Sequence, residues 1–178
     1  MPPLIEENLP LHSGMTETVS FLALKKAKAV EAQYLAQPHI TTSATDLTAK
    51  KPPIIIAADT IVYKDKIMGK PKDKEDGMNM LWSLRDDCHY VVTGVALLEA
   101  GRPHGKVFYE ITKVFFKDYS RDALSQYLDT PEAYDKAGGY AIQGYFAKYI
   151  DHIEGDYNNV VGFPWDRIQK ELNFFEKQ

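Results

Sequence analysis

Asp59 stands inside "IIIAADTIVY", Ile54 to Tyr63, where an ionised carboxylate is costly to bury among apolar neighbours. Aspartate is depleted from strands, so one within such a run marks a strand's end or a functional site. The alternative is a turn-forming aspartate that accepts backbone hydrogen bonds, and local sequence leaves both open. A second source of carboxylates is Glu6-Glu7, and lysines stand at Lys26 and Lys70. Carboxylates with lysines suit metal-assisted attack of water on a phosphoanhydride. Carboxylate oxygens hold Mg²⁺ or Mn²⁺ and orient or deprotonate water, while lysines offset phosphate charge. Whether these groups converge is a question of fold.

Other constellations are absent. The chain has no phosphate-cradling G-x-x-x-x-G-K-[ST], no G-x-S-x-G elbow and no H-E-x-x-H. Its histidines are scattered singly. Cys88 reads as a small buried thiol, and His89 as a hydrogen bonder at the start of a strand rather than a metal ligand. A net charge of −4 argues against a nucleic-acid polymer as partner, so a small anionic ligand would need a local cationic pocket. The lone cysteine rules out an internal disulfide and suits a reducing compartment, so the cytoplasm is the expected location. No apolar run approaches the roughly 20 residues of a membrane span. The opening "MPPLIEENLP" has no basic segment followed by an apolar one, so no signal peptide is expected.

The positioning elements can be read next. From Thr16 to about Ala36, Val19, Leu22, Ala23, Ala27, Val30 and Tyr34 recur at three- and four-residue steps. That spacing predicts a helix with Lys25, Lys28 and Glu31 on its wet face. Residues 37–52, rich in Ser, Thr and Pro, read as a surface loop. Ile54 to Tyr63 is a buried central strand, and "YKDKIMGKP" a tight polar turn and return. Asp73 caps a helix to about Arg85, with Met78, Leu81, Trp82 and Leu84 largely on its buried side. Strands follow near Tyr90–Glu99 and Lys106–Lys117, joined by "AGRPHG". Ser120 caps a helix to about Leu128, "GGYAIQG" and "FAKYIDHIEG" read as short strands, and Pro164 opens a last helix. The expectation is one α/β domain over residues 1–178.

Four blocks in order, "AADTIVYKDKIMGKPKDKEDGMNML", "HYVVTGVALL", "DKAGGYAIQG" and "IEGDYNNVVGFP", resemble the signature of the Maf family of nucleoside triphosphate pyrophosphatases. The likeness runs from about Glu7 to the last helix. It implies an α/β fold with a mixed sheet, of the inosine triphosphate pyrophosphatase-like type. It also implies cleavage of a nucleoside triphosphate to monophosphate and pyrophosphate with a divalent metal, and a homodimer. By the same resemblance, Asp59 is the proton acceptor for the attacking water, and Lys70 stabilises charge on the leaving pyrophosphate. Glu7, preferred over adjacent Glu6, and Lys26 complete the catalytic set, with Glu7 and Asp59 as metal ligands. Thr60 and Gln143 fall on positions for substrate choice, and "AIQG" resembles the dTTP- and UTP-preferring subgroup. A glutamine amide offers the donor and acceptor that a pyrimidine edge requires. Thr60 follows Asp59 directly, so its hydroxyl is expected near the same pocket. Asp135 and Lys136 are assigned only a salt-bridged turn, and "GDYNNVVGFP" a turn into the last helix.

One block has no counterpart in these residues. Family members open with a strand and an S-x-S-P-R-R loop whose arginines clamp phosphate, whereas here the match begins directly after Met1. The expected fold therefore lacks an N-terminal strand and loop. Loss of a bidentate arginine could lower the rate on the order of 10³ or more. The competing expectations are a catalytically silent nucleotide-binding or regulatory remnant and a non-enzymatic dimeric scaffold.

Overall fold

The computed structural model describes residues 14–37 and 52–175. Glu6, Glu7, the opening segment and nearly all of the loop expected over 37–52 lie outside those residues. The elements are α1 (Met15–Leu35), β1 (Ile54–Lys64), β2 (Lys66–Met68), α2 (Lys74–Leu84), β3 (Cys88–Glu99), β4 (Gly105–Phe116), α3 (Arg121–Leu128), β5 (Ile150–Glu154), α4 (Tyr157–Val161) and α5 (Trp165–Phe175). Three short 3-10 helices, Pro131–Asp135, Ala137–Gly139 and Tyr145–Tyr149, separate α3 from β5. The expected α/β architecture is what forms.

The strands make one sheet in the order β2-β1-β3-β4-β5. Tyr63 faces Ile67 across an antiparallel β1–β2 turn, and β4 pairs antiparallel with β5. Thr60 meets Thr93 while Pro53 O accepts from Ala100 N–H, so β1 and β3 also run in opposite directions. Glu99 N–H donates to His104 O and Phe116 N–H to Asp87 O, which gives β3 and β4 the same relation.

The chain divides into two compact units. The first comprises the described residues of Met1–Asp59, Gly94–Tyr109 and Ile168–Gln178. Here α1 buries Val19, Ala23, Ala27 and Glu31, a strict four-residue stripe. Val19 lies over Gly94, where a Cβ would strike the helix backbone, so a glycine in mid-strand permits the close approach. Ala23 and Ala27 pack with Ile55, Ala57 and Ala96, while Ile54, Ile56 and Ala58 join Val95, Phe108 and Ile168. Alternation along β1 thus serves two apolar clusters.

Glu31 corrects the reading of α1. It lies on the buried stripe rather than the wet face, and Val30 is exposed. The carboxylate is tolerated because it accepts from Gly101 N–H at 3.1 Å and from Lys28 at 2.9 Å. Lys28, then that backbone bond, holds its pKa below the usual glutamate value.

The second unit comprises Thr60–Thr93 and Glu110–Arg167. Its core gathers Leu81, Leu84, Leu124, Tyr127, Phe116 and Phe146, among others. Both expected caps form: Asp73 accepts from Asp76 N–H at 2.8 Å and Ser120 from Ala123 N–H at 3.2 Å. The strand expected over "GGYAIQG" does not form. Gly138 and Gly139 take φ of 74° and 76°, left-handed values that an extended chain cannot hold, and a turn follows. "FAKYIDHIEG" divides into the 3-10 helix Tyr145–Tyr149 and β5. "GDYNNVVGFP" leads into α5 as expected but contains the additional short helix α4, capped by Asp156 and ended by Gly162 at φ 103°. Pro164 immediately precedes α5.

Candidate active site

In the first unit, register decides what Asp59 faces. Ile55 and Ala57 point from β1 toward α1, and Asp59 is the next residue of that odd-numbered series. Its Oδ1 accepts a hydrogen bond from Lys26 Nζ of α1. The Asp59 side chain is 10% exposed and that of Lys26 40%. A carboxylate so nearly buried is tolerated because a cation meets it directly. The question raised by the apolar run is thereby answered structurally: Asp59 leaves the apolar series to face a lysine.

Thr60, in the second unit, follows the opposite alternation. Its hydroxyl lies 2.8 Å from Thr93 Oγ1, on the neighbouring strand. Asp59 and Thr60 therefore leave β1 on opposite faces, and adjacency in sequence does not place both side chains on one side. Thr93 donates to Asn159 O at 3.1 Å, so its proton is committed and Thr60 donates to Thr93. Asn159 is fully buried and its amide donates to Val91 O and to Thr112 Oγ1. Gly162 lies beside Thr60 Oγ1, 3.2 Å from where a Cβ would stand. Sequence reasoning missed this threonine–asparagine relay because single polar residues in apolar runs carry no spacing signal.

Lys70 occupies the turn after β2. Gly69 O accepts from Gly138 N–H at 3.0 Å, which ties this turn to the segment "DKAGG". Lys70 Nζ lies 2.9 Å from Asp135 Oδ1, and Lys136 reaches the other oxygen at 3.0 Å. Lys70, then Lys136, holds the Asp135 pKa down to about 2. The salt-bridged turn assigned to Asp135 and Lys136 thus takes in Lys70 as well. Lys70 and Asp135 are 61% and 72% exposed, so the ammonium can exchange this partner for a phosphate with little loss.

Gln143 is exposed in a turn closed by Gly144 N–H donating to Ala141 O at 3.2 Å. His89, expected as a hydrogen bonder at a strand start, is fully buried with Nε2 at 2.7 Å from Tyr140 Oη. Cys88 is half-buried. The site residues thus fall into local groups: Lys26 with Asp59, Thr60 with Thr93, and Lys70 with Asp135. Glu7 lies outside the described residues. Among the described residues, no three His, Cys, Asp or Glu side chains form a metal cluster, and no helix is long and apolar enough to cross a membrane.

Comparison with known proteins gives these groups a context. A family model described as "Maf-like protein" matches residues 1–175. A protein named dTTP/UTP pyrophosphatase from Geobacillus sp. (strain WCH70) is 41% identical over 170 residues, covering 94% of this chain and 81% of the relative. A protein of that name from Bacillus cytotoxicus is 39% identical over 173 residues, covering 97% of this chain and 81% of the relative. Another from Acetivibrio thermocellus is 40% identical over 170 residues, covering 96% and 78%. With a family model matched along nearly its whole length, and Asp59, Lys26 and Lys70 presented as described, the chain belongs to the Maf-like family.

Proposed function

We propose that the protein is a nucleoside triphosphate pyrophosphatase acting on dTTP and UTP, a hydrolase of acid anhydrides. The observation that carries this reading is the pair of Asp59 and Lys26, a nearly buried carboxylate held by a cation. The names of the relatives supply the substrate class.

In this reading Asp59 takes a proton from water as the water oxygen bonds to the α-phosphorus. The bond from that phosphorus to the bridging oxygen breaks, and pyrophosphate leaves with the electron pair. A general base of this kind contributes about 10² to 10⁴ in rate. Lys26 holds the Asp59 carboxylate in place, and Lys70 meets the charge that develops on the leaving pyrophosphate. Gln143 reads the pyrimidine edge, and Thr60, whose hydroxyl is bonded to Thr93, bears on substrate choice only by fixing the strand beside Asp59.

The donor chemistry fits a hard divalent cation. Asp59 has an oxygen beyond the one Lys26 takes, and Mg²⁺ characteristically binds one or two carboxylates while water and substrate phosphates complete its shell. Asp59 and Glu7 would hold Mg²⁺ or Mn²⁺, which when bound neutralises phosphate charge. Homodimerisation and a cytoplasmic location belong to the same proposal.

The test is pyrophosphate release from a panel of nucleoside triphosphates. The expected outcome is release from dTTP and UTP well above that from purine nucleotides. A purine preference would overturn the substrate choice. Nucleotide binding without release from any member would favour the catalytically silent alternative.

A further inference from the structure

We infer that Glu132 is a positioning residue for substrate choice, holding in place the turn that presents Gln143. This rests on the reading of Gln143 as the group that meets the base.

Glu132 belongs to the 3-10 helix Pro131–Asp135, and its side chain reaches forward to the following turn. Its Oε2 accepts from Tyr145 N–H at 3.3 Å, and its Oε1 accepts from Tyr127 Oη, also at 3.3 Å. Tyr127 is fully buried, so one side of the carboxylate is anchored in the core. Burial, then Glu132, pushes the Tyr127 hydroxyl well above the usual tyrosine range, so it remains a donor. Glu132 also explains a glycine. A Cβ at Gly144 would run into Glu132 Oε1, so the carboxylate occupies the space that any larger residue would need.

Gln143 is therefore held from its C-terminal side. Gly144 N–H closes the turn onto Ala141 O, Gly144 leaves room for the carboxylate, and Tyr145 donates to it. An exposed side chain on an untethered turn would spend binding energy on ordering itself, and the tether removes part of that cost. The same short helix carries Asp135, which holds Lys70 at 2.9 Å. One short helix thus touches both the turn of the proposed base reader and, through an exposed ion pair, the proposed leaving-group cation.

The experiment compares wild type, Glu132→Ala, Glu132→Gln, Gly144→Ala, Gln143→Ala and the double variant Glu132→Ala/Gln143→Ala. Affinities for the α,β-imido analogues of dTTP and dGTP are measured by calorimetry, so the readout does not require turnover. Thermal unfolding and hydrogen exchange at the Tyr145 amide are followed beside it. Glu132→Ala should lower the dTTP-over-dGTP preference by up to about tenfold, the worth of one or two hydrogen bonds. Its Tyr145 amide should exchange faster. Gly144→Ala should reproduce the loss by displacing the carboxylate from the other side. Glu132→Gln should retain the preference, because its amide oxygen can accept from Tyr145 and its amide nitrogen can donate to Tyr127. The double variant should match Gln143→Ala alone. An unchanged preference in both Glu132→Ala and Gly144→Ala, while Gln143→Ala loses it, overturns the inference and leaves the role of Gln143 standing. Additive losses in the double variant overturn it too, since Glu132 would then act independently of Gln143. An unchanged preference in Gln143→Ala overturns the reading of Gln143 and this inference with it.

Discussion

Acid should destabilise this protein through His89 in a way that one substitution can isolate. His89 is fully buried between Phe116 and Tyr140, with ring centroids at 5.0 and 5.4 Å. Its Nδ1 has no hydrogen-bond partner. Desolvation, then the nearby charge of Lys64, lowers its pKa from 6.5 to about 3, against a smaller opposing effect of Asp87. The unfolded chain therefore takes up a proton first as pH falls. The stability due to a neutral His89 is complete above about pH 6.5 and is lost as pH falls toward 3. Each pH unit inside that window costs about 1.4 kcal/mol. Between about pH 7.5 and 4.5, the loss attributable to this group is about 2.5 kcal/mol. His89→Phe keeps an aromatic ring but removes the titration and leaves the buried Tyr140 hydroxyl without its partner, at a constant cost of about 2 kcal/mol. Urea unfolding at several pH values should give curves that cross: the variant is less stable at neutral pH and more stable near pH 4.5. Parallel curves would refute the argument, because carboxylates common to both proteins would then account for all of the acid sensitivity. In the folded protein His89 stays neutral until the pH nears 3, so nucleotide preference should hold across this window while stability falls.

Asp59→Asn should lower pyrophosphate release by about 10² to 10⁴ with little change in thermal unfolding; undiminished activity at equal stability would remove Asp59 from its role. Gly138→Ala should cost about 1–2 kcal/mol in urea unfolding, since φ is 74° and a Cβ would meet Val62 Cγ2 at 2.9 Å. An unshifted midpoint would show that the turn relaxes freely. Excess chelator should abolish pyrophosphate release, and full activity in its presence would exclude dependence on an added divalent cation. Light scattering should find a dimer, and a monomer at assay concentrations would refute that expectation.

Much of the scaffold was legible because local physics dictated it. The three- and four-residue apolar spacing of α1, the β-branched run of β1 and the caps Asp73 and Ser120 are short-range signals, and the structure contains each of these elements. The family resemblance rested on side chains in fixed order, which needs no three-dimensional knowledge. Tertiary structure decided the rest. Glu31 fits the wet-face pattern of a helix, yet an unpaired N–H at Gly101, 70 residues away, draws it inward. "GGYAIQG" reads as a short strand beside glycine breaks, but the left-handed conformations of Gly138 and Gly139 fold it into turns packed against Val62, Pro71 and Leu81. Asp59 and Thr60 are neighbours in the chain and opposites on the strand, because pleating separates what sequence joins. Sequence by itself determined which groups are available for chemistry and which short elements carry them. Only the packed chain decided their partners, Lys26 with Asp59, Thr93 with Thr60 and Glu132 with the turn at Gln143, since each pairing closes a long loop whose ends carry no local signal of one another.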